Sequence, residues 1–370
     1  MRSFQHESKP ARVIFGNGTL QSKLKQEVQH LGVRHALVLS TPFQTNLAEE
    51  AAKLLGEGDS PIQVSIFTKA TMHTPVEVTE EAMQAMGDAD CLIALGGGST
   101  TGLSKAIALR RPGLPQIVVP TTYAGSEATS VVGQTENRKK TTVKSKDILP
   151  GTIVYDVGLT LTLPATMTCT SGLNAIAHAV EGLYATDATP ITDMFAVRGI
   201  RSMLTALETL QKTSQDDSSA ILDARADALE ASWLCGTVLG AVHMGLHHKL
   251  CHTLGGMLNT PHAETHAILL PFTLLYNYAS LTPAQKAWFG QAFDTQDGLA
   301  IAQRLRATLT NQTGVPLSLK EVGVTEEDLP KVAAQAASAP YPNPRALVED
   351  RLLFLLRSAW QGTLDGSIQE

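Results

Sequence analysis

The chain has 370 residues, 43% of them apolar, enough to bury a large core in two domains or in one domain with a subdomain. Its net charge of -6 and pI near 6.0 count against nucleic acid or an anionic membrane as a partner. No run of about twenty apolar residues suggests a transmembrane helix, and the opening MRSFQHESKPARVIFG lacks the apolar core of a signal peptide. The four cysteines, Cys91, Cys169, Cys235 and Cys251, are isolated and form no CxxC pair, so neither a disulfide framework nor a thiolate zinc site is expected, and a reduced, cytoplasmic compartment fits best.

In chain order, strand-like runs at 11–15, 36–39, 62–67, 91–95, 116–120 and 153–155 alternate with helical patterns such as 45–55 and 77–86. This alternation predicts a parallel sheet covered on both faces. The N-terminal strand around Phe4 and Val13 to Phe15 is a plausible place for pairing between copies, because an exposed sheet edge invites it. The second run ends in LVLSTP, where many dinucleotide folds carry a ribose-binding acid; Ser40, Thr41 and Pro42 stand there instead, which predicts that both NADH and NADPH are accepted. The segment DCLIALGGGSTTGLSKAIAL then places Gly96, Gly97 and Gly98 between a strand and a helix that Ser99 can cap. Consecutive glycines let a phosphate approach the backbone, and the helix N-terminus supplies N–H donors, so a pyrophosphate is expected there. One βα unit later, VVPTTYAGSEATS offers the hydroxyls of Thr121, Thr122 and Ser126 at a strand's carboxyl end, where open α/β sheets bind ligands.

The run RKKTTVKSKD at 138–147 reads as an exposed hairpin, and its Lys144 is a candidate partner for a substrate carboxylate. From about residue 163 the strand signals stop and helical stretches follow at 171–184, 191–210, 218–239 and 244–254, with a loop at 212–219. The expected organisation is an α/β dinucleotide-binding domain over 1–160 and an all-α domain over 161–370.

Six of the eleven histidines lie close together: His243, His247, His248, His252, His262 and His266. Histidine changes charge near neutral pH and its neutral form binds metals, so the cluster points to a proton-handling site or a metal cage. His248 and His252 share a helical face at i, i+4, as do Asn174 and His178 in a helix that is otherwise small and apolar. A buried polar side chain without a partner is costly, so Asn174 and His178 should face something polar inside the protein.

The motifs GGGSTTGLSKAIAL, PTTYAGSEAT, the Asn174/His178 helix, and HHKLCHTLGG followed by NTPHAETHA resemble the iron-containing alcohol dehydrogenase superfamily, and within it the maleylacetate reductases. The likeness extends to ARVIFGNG and to PYPNPR at 340–345. It implies the iron-containing alcohol dehydrogenase (dehydroquinate synthase-like) fold, a nucleotide-binding α/β domain plus a helical domain, with the active site in the cleft between them. Metal-dependent members carry an aspartate and three histidines as ligands; His178, His248 and His262 match the histidines, but Asn174 stands at the aspartate position. The missing charge weakens hard-ion binding most, so no metal is expected, although three histidines with water can still hold zinc.

The resemblance implies NADH- or NADPH-dependent reduction of the C=C bond of maleylacetate, and of chloromaleylacetate, to 3-oxoadipate in aromatic-compound degradation, by a cytoplasmic homodimer. Hydride adds to the carbon β to the ketone, charge develops on the ketone oxygen, and the enolate α-carbon is then protonated. Histidinium can act as proton donor and charge partner without a metal. His243, His248 and His252 are expected to form the core of this set, with His178, His262 and Asn174 lining the pocket and His247 and His266 structural or secondary. Which histidine protonates carbon stays open. Arg345, whose planar fork suits a carboxylate, is the second candidate substrate partner. Two alternatives are a metal-dependent alcohol dehydrogenase or aldehyde reductase of the same superfamily and a non-catalytic nucleotide sensor.

Overall fold

The structure, a computed structural model, describes residues 4–6, 11–136, 139–214, 216–338 and 341–369. The chain forms two compact units, Ser8–Leu163 and a second made of Pro164–Glu370 together with the first residues of the chain. Residues 4–6 thus group with the second unit, where the His6 ring meets the Thr189 hydroxyl at 3.2 Å.

The first unit holds a six-stranded sheet of β1 (Arg12–Gly16), β2 (His35–Leu39), β3 (Gln63–Phe67), β4 (Cys91–Gly96), β5 (Gln116–Pro120) and, after a hairpin of β6 (Val131–Glu136) and β7 (Lys139–Lys144), β8 (Thr152–Asp156). All its pairings are parallel, in the order β1-β8-β5-β4-β2-β3, so β1 lies at one edge. Four helices cover it: α1 (Thr19–His30), α2 (Thr45–Gly56), α3 (Val76–Met86) and α4 (Gly98–Arg110). Strand side chains alternate between faces. Ala36 and Val38 of β2 accordingly pack with Leu24, Val28, Ala48 and Leu55 of α1 and α2. Leu37 and Leu39 pack on the other face with Ala82, Met86, Leu103 and Ile107 of α3 and α4. The helices after β2 and β4 therefore lie on opposite faces, while those two strands are neighbours. Their carboxyl ends diverge at a topological switch point, the usual ligand crevice of such a sheet.

The second unit contains α5 (Ala165–Tyr184), α6 (Pro190–Lys212), α7 (Ser218–Ala241), α8 (Leu246–Leu258), α9 (His262–Tyr278), α10 (Pro283–Phe293), α11 (Gly298–Thr310), α12 (Leu329–Ala337) and α13 (Glu349–Gln361). Every residue of α5 from Thr168 to Tyr184 is buried, and so is every residue of α9 from Thr265 to Tyr278. A helix buried all round belongs at the centre of its domain. Around this pair, α6 and α7 pack on α5, while α8 packs on α9 and α12. No helix among the described residues is long and apolar enough to cross a membrane.

Candidate active site

The glycine loop closes the switch point of the α/β unit. Gly96 has φ +146, and a Cβ on it would lie 2.5 Å from Thr100 Oγ1 and 2.7 Å from Gln44 Oε1. On Gly97 a Cβ would stand 2.9 Å from the Thr122 side chain. Both positions need glycine for close approach, Gly96 also for its backbone angle. Gly97, not Ser99, is the N-cap of α4; Ser99 falls in the first turn and no side chain caps the helix. The first N–H groups of α4 have no intrahelical acceptor, which suits a phosphate. The buried Thr100 hydroxyl also has no hydrogen-bond partner among the described residues.

Neighbouring loops are tied to this turn. Thr121 N–H donates to Gly96 O at 3.1 Å. Gln44 Nε2 donates to Thr121 Oγ1 at 2.9 Å, linking the turn at Thr41 and Pro42 to the loop after β5. Ser126 is held from behind by Lys105, whose ammonium donates to Ser126 O, to Thr129 Oγ1 at 2.8 Å and to Val131 O at 3.1 Å. Burial pushes the Lys105 ammonium down to about 7, against the attraction of Glu127. Burial also raises the Glu127 carboxyl, which accepts from Tyr155 Oη at 2.8 Å. Gln44 and Lys105 escaped the sequence reading. Lys105 had one visible signal, a cation within the otherwise small and apolar stretch GLSKAIAL. Lys144 is exposed at the end of β7, opposite Val131 in the hairpin register.

In the helical unit, the histidines assemble where α5, α8 and α9 meet. Ring centroids stand 4.4 Å apart for His262 and His266, 4.9 Å for His248 and His266, 5.0 Å for His178 and His248, and 6.1 Å for His248 and His252. His252 is exposed and His262 half-buried, whereas His178, His247, His248 and His266 are buried. The cluster therefore runs from the surface inward. His266, given a minor place by the sequence, is with His248 one of its two most connected rings, touching His178, His247, His248 and His262. His243, expected in the core, lies outside it: its ring is 67% exposed and its Nδ1 faces Asp187 Oδ2 at 2.7 Å. The physical reason is local, because His243 precedes α8 in the loop that Asp187 also ties through the His243 backbone N–H.

The organiser of the cluster is Glu181, which the sequence reading missed. It lies on α5, buried, one turn below His178. Its carboxylate accepts the backbone N–H groups of Gly245, His247 and His248 at 3.0, 2.9 and 3.2 Å, and His248 Nδ1–H at 2.6 Å. Asn343 Oδ1, from the PYPNPR segment, accepts the Leu246 N–H at 3.2 Å. Together they satisfy the orphan donors of the α8 N-terminus, and the negative charge sits at the positive end of that helix. Burial works to raise the Glu181 carboxyl, but the bond from His248, the nearby His247 and the backbone donors bring it down to about 2. A Cβ on Gly245 would stand 3.1 Å from both Glu181 Oε1 and Asn343 Oδ1, so any larger residue would have to push these acceptors back by a few tenths of an ångström.

This geometry sets tautomers. An ionised carboxylate only accepts, so His248 Nδ1 carries a proton and a neutral His248 ring presents a bare Nε2. That Nε2 meets His178 Nδ1 at 2.9 Å, which makes His178 the donor. A second chain runs beside the first. His247 Nδ1 donates to Thr273 Oγ1 at 2.9 Å, since Thr273 spends its own proton on the α9 carbonyls, and His247 Nε2 accepts from His266 Nδ1 at 3.0 Å. Burial holds His247 down to about 3 and His266 well below the ordinary histidine range.

One consequence is acid lability. His247 and His266 stay neutral in the folded protein but take up protons when unfolded, below the ordinary value near 6.5. The unfolded state binds more protons in this window, so stability must fall as pH drops from 6.5 towards 3, at about 2.7 kcal/mol per pH unit once both sites titrate. Glu181 adds to the loss between 4.5 and about 2. Urea unfolding at pH 8, 6 and 5 checks this; equal midpoints would refute the buried neutral pair.

Arg345 has another occupation than the substrate carboxylate expected of it. Its Nη1 donates to the carbonyls of Tyr276, Ile368 and Gln369 at 3.2, 3.0 and 3.1 Å, and its guanidinium lies 4.4 Å from the Tyr276 ring centroid. It clasps the C-terminal segment onto α9.

Asn174, the residue at the family's aspartate position, is buried and its Oδ1 has no hydrogen-bond partner among the described residues. The donor set lacks the carboxylate charge that the resemblance expects: an uncharged amide stands in its place, which weakens the hold on a hard divalent ion.

A glycine-loop nucleotide unit joined to a helical unit with a histidine centre defines a class of dinucleotide-dependent oxidoreductases. The family profile for iron-containing alcohol dehydrogenase matches residues 10–157 and the profile for the C-terminal part of Fe-containing alcohol dehydrogenases matches 168–360; the chain belongs to this family. It is 48% identical to a maleylacetate reductase of Rhizobium sp. (strain MTP-10005), over 98% of this chain and 99% of that one. The crystal structure of maleylacetate reductase from Agrobacterium tumefaciens superposes with a TM-score of 0.87 at 46% identity, covering 98% and 99% of the two chains. A more distant structure, sulfoacetaldehyde reductase from Bifidobacterium kashiwanohense in complex with NAD+, shares the fold at TM-score 0.84 and 22% identity, with 97% and 99% covered.

Proposed function

We propose that the protein reduces the carbon–carbon double bond of maleylacetate, and of chloromaleylacetate, giving 3-oxoadipate from the former. The observation that carries this reading is the buried Glu181–His248–His178 chain, one helical turn from Asn174 on α5. A ketone conjugated to the double bond needs a proton donor and a positive partner for its oxygen once hydride has added. An imidazolium at His178 or His262 supplies both. Protonated at Nε2, His178 shares its charge through His248 with Glu181, which stabilises the donor form before transfer, and a proton from solvent restores it afterwards.

The bound dinucleotide, NADH or NADPH, supplies the hydride. Gly96 to Gly98, Ser99, Thr121, Thr122 and Ser126 hold its pyrophosphate, and Thr41 and Pro42, without an acid beside them, admit either ribose form. His252 and His262 line the entrance, and exposed Lys144 is the remaining candidate for a substrate carboxylate. No metal takes part. A cytoplasmic homodimer is the working form, with the edge strand β1 and Phe4 the proposed place of pairing.

The test is oxidation of NADH with maleylacetate by enzyme dialysed against EDTA and by enzyme supplied with Fe2+ or Zn2+. The EDTA-treated and iron-supplied samples are expected to turn over equally. Activity only with iron would favour the metal-dependent alcohol dehydrogenase reading, and inactivity towards maleylacetate with activity on simple aldehydes would replace the proposed substrate.

A further inference from the structure

Behind the proposed proton chain lies a group of donors that it does not use. His247 and Cys251 share one face of α8 at i, i+4, and His266 stands opposite on α9. One ligand atom from each lies within 4.8 Å of the other two, and all three residues are buried. Among the described residues this is the one such group of three. His247 Nε2 is 3.7 Å from Cys251 Sγ and 3.0 Å from His266 Nδ1. A tetrahedral zinc with Zn–N near 2.0 Å and Zn–S near 2.3 Å needs donor separations of about 3.3–3.6 Å, and both separations from His247 Nε2 lie within tenths of an ångström of that range.

The surroundings are arranged as for a ligand. Thr273 Oγ1 takes the His247 Nδ1 proton, which aims the bare Nε2 at the other two residues. Outer hydrogen bonds of this kind orient metal-binding imidazoles. His266 Nε2 is buried with no hydrogen-bond partner, so it can carry the ring proton when Nδ1 turns ligand. The positions differ from those of the family's metal, to which His178, His248 and His262 correspond.

We propose that His247, Cys251 and His266 form a binding site for a soft d10 cation of the zinc(II) type, and that its occupancy inhibits the enzyme. Binding converts the Cys251 thiol to a metal-bound thiolate and releases one proton to solvent. A thiolate with two imidazoles selects zinc over hard ions such as magnesium. The ion pins His266, whose ring packs on His178, His248 and His262, and sets positive charge beside the chain that must itself become positive. The site stands independently of the substrate reading.

Chelator-treated full-length protein titrated with Zn2+ against a chromophoric competitor should bind one ion per chain, with release of one proton at a pH where the free thiol is protonated. Cys251→Ser, close in volume, should weaken binding at least about 10-fold, whereas His262→Ala should leave it near wild type. Cobalt(II) should give a thiolate-to-metal charge-transfer band in the wild type that Cys251→Ser abolishes. Zinc should inhibit the wild-type reductase reversibly, and the serine variant much less. No stoichiometric zinc in the wild type would overturn the proposal, as would binding lost in His262→Ala but kept in Cys251→Ser. Because binding, proton release and the cobalt spectrum need no turnover, failure of the proposed reaction leaves this result readable.

Discussion

Glu181→Gln is expected to lower kcat by about 100- to 1000-fold in protein that still folds. The amide has nearly the same shape but only one acceptor oxygen, while at least four donors converge on the carboxylate from Gly245, His247 and His248. Its NH2 group would face N–H groups, and His248 would lose the charge that fixes its tautomer. Leaving buried donors unsatisfied costs about 1–3 kcal/mol of stability in addition. A pure helix cap would lower the unfolding midpoint and leave the pH profile of kcat/KM in the surviving native protein unchanged. A residue that positions the proton chain shifts that profile as well. Glu181→Asp keeps the charge with a shorter reach and should recover part of the rate. Wild-type turnover in Glu181→Gln would remove Glu181 from the proposed mechanism.

Lys105→Ala is expected to destabilise the α/β unit by about 3–5 kcal/mol, because a fully buried side chain that donates to two carbonyls and a hydroxyl is removed. The carbonyls of Ser126 and Val131 lose their donor, the Glu127 carboxylate loses its counter-charge, and a long buried side chain leaves a cavity. Lys105→Met refills the volume without the charge and should recover only the packing share. Adding Glu127→Gln to it should restore more stability than the single changes predict if the two charges are coupled.

The pH dependence supplies a second readout. Lys105 titrates at about 7 in the folded protein against 10.5 when unfolded, so between these values the unfolded chain holds the extra proton and wild-type stability rises with pH. That rise should be absent from Lys105→Met. Urea midpoints for the two proteins at pH 7 and 9.5 decide the matter, and parallel profiles would mean that Lys105 is not the titrating group.

Much of the α/β unit was legible because its signals are local. Apolar runs of strand length followed by helical patterns give parallel strands, and the observed strands at His35–Leu39, Cys91–Gly96 and Gln116–Pro120 fall within a residue of the runs read from sequence. Three glycines after such a run mark a close backbone approach whatever surrounds them. The hairpin was half visible: its basic second strand could be read, but the partner Val131–Glu136 lacks a turn signature of its own.

The histidine centre was legible as a density of residues, not as an arrangement. Spacing shows that His248 and His252 share a face, and that Asn174 and His178 do, but not which helix lies opposite. His243 is near the others in sequence and leaves the cluster, because Asp187 holds it in the loop before α8. His266 became one of the two most connected rings because α9 packs against both α5 and α8. Arg345 looked like a free fork for a carboxylate until its carbonyl partners, from α9 and the chain's last residues, came into view.

The sequence by itself determined the two-part architecture and the family, both carried by residue types at short spacing. Only the tertiary structure showed the surroundings of Glu181, Lys105 and Cys251. A buried charge or thiol acquires its meaning from the donors and acceptors brought to it: those of Glu181 come from residues 64 to 67 positions away, and Cys251 meets His266 of another helix 15 positions away. No local pattern encodes such a meeting, because it depends on which faces the packed helices finally share.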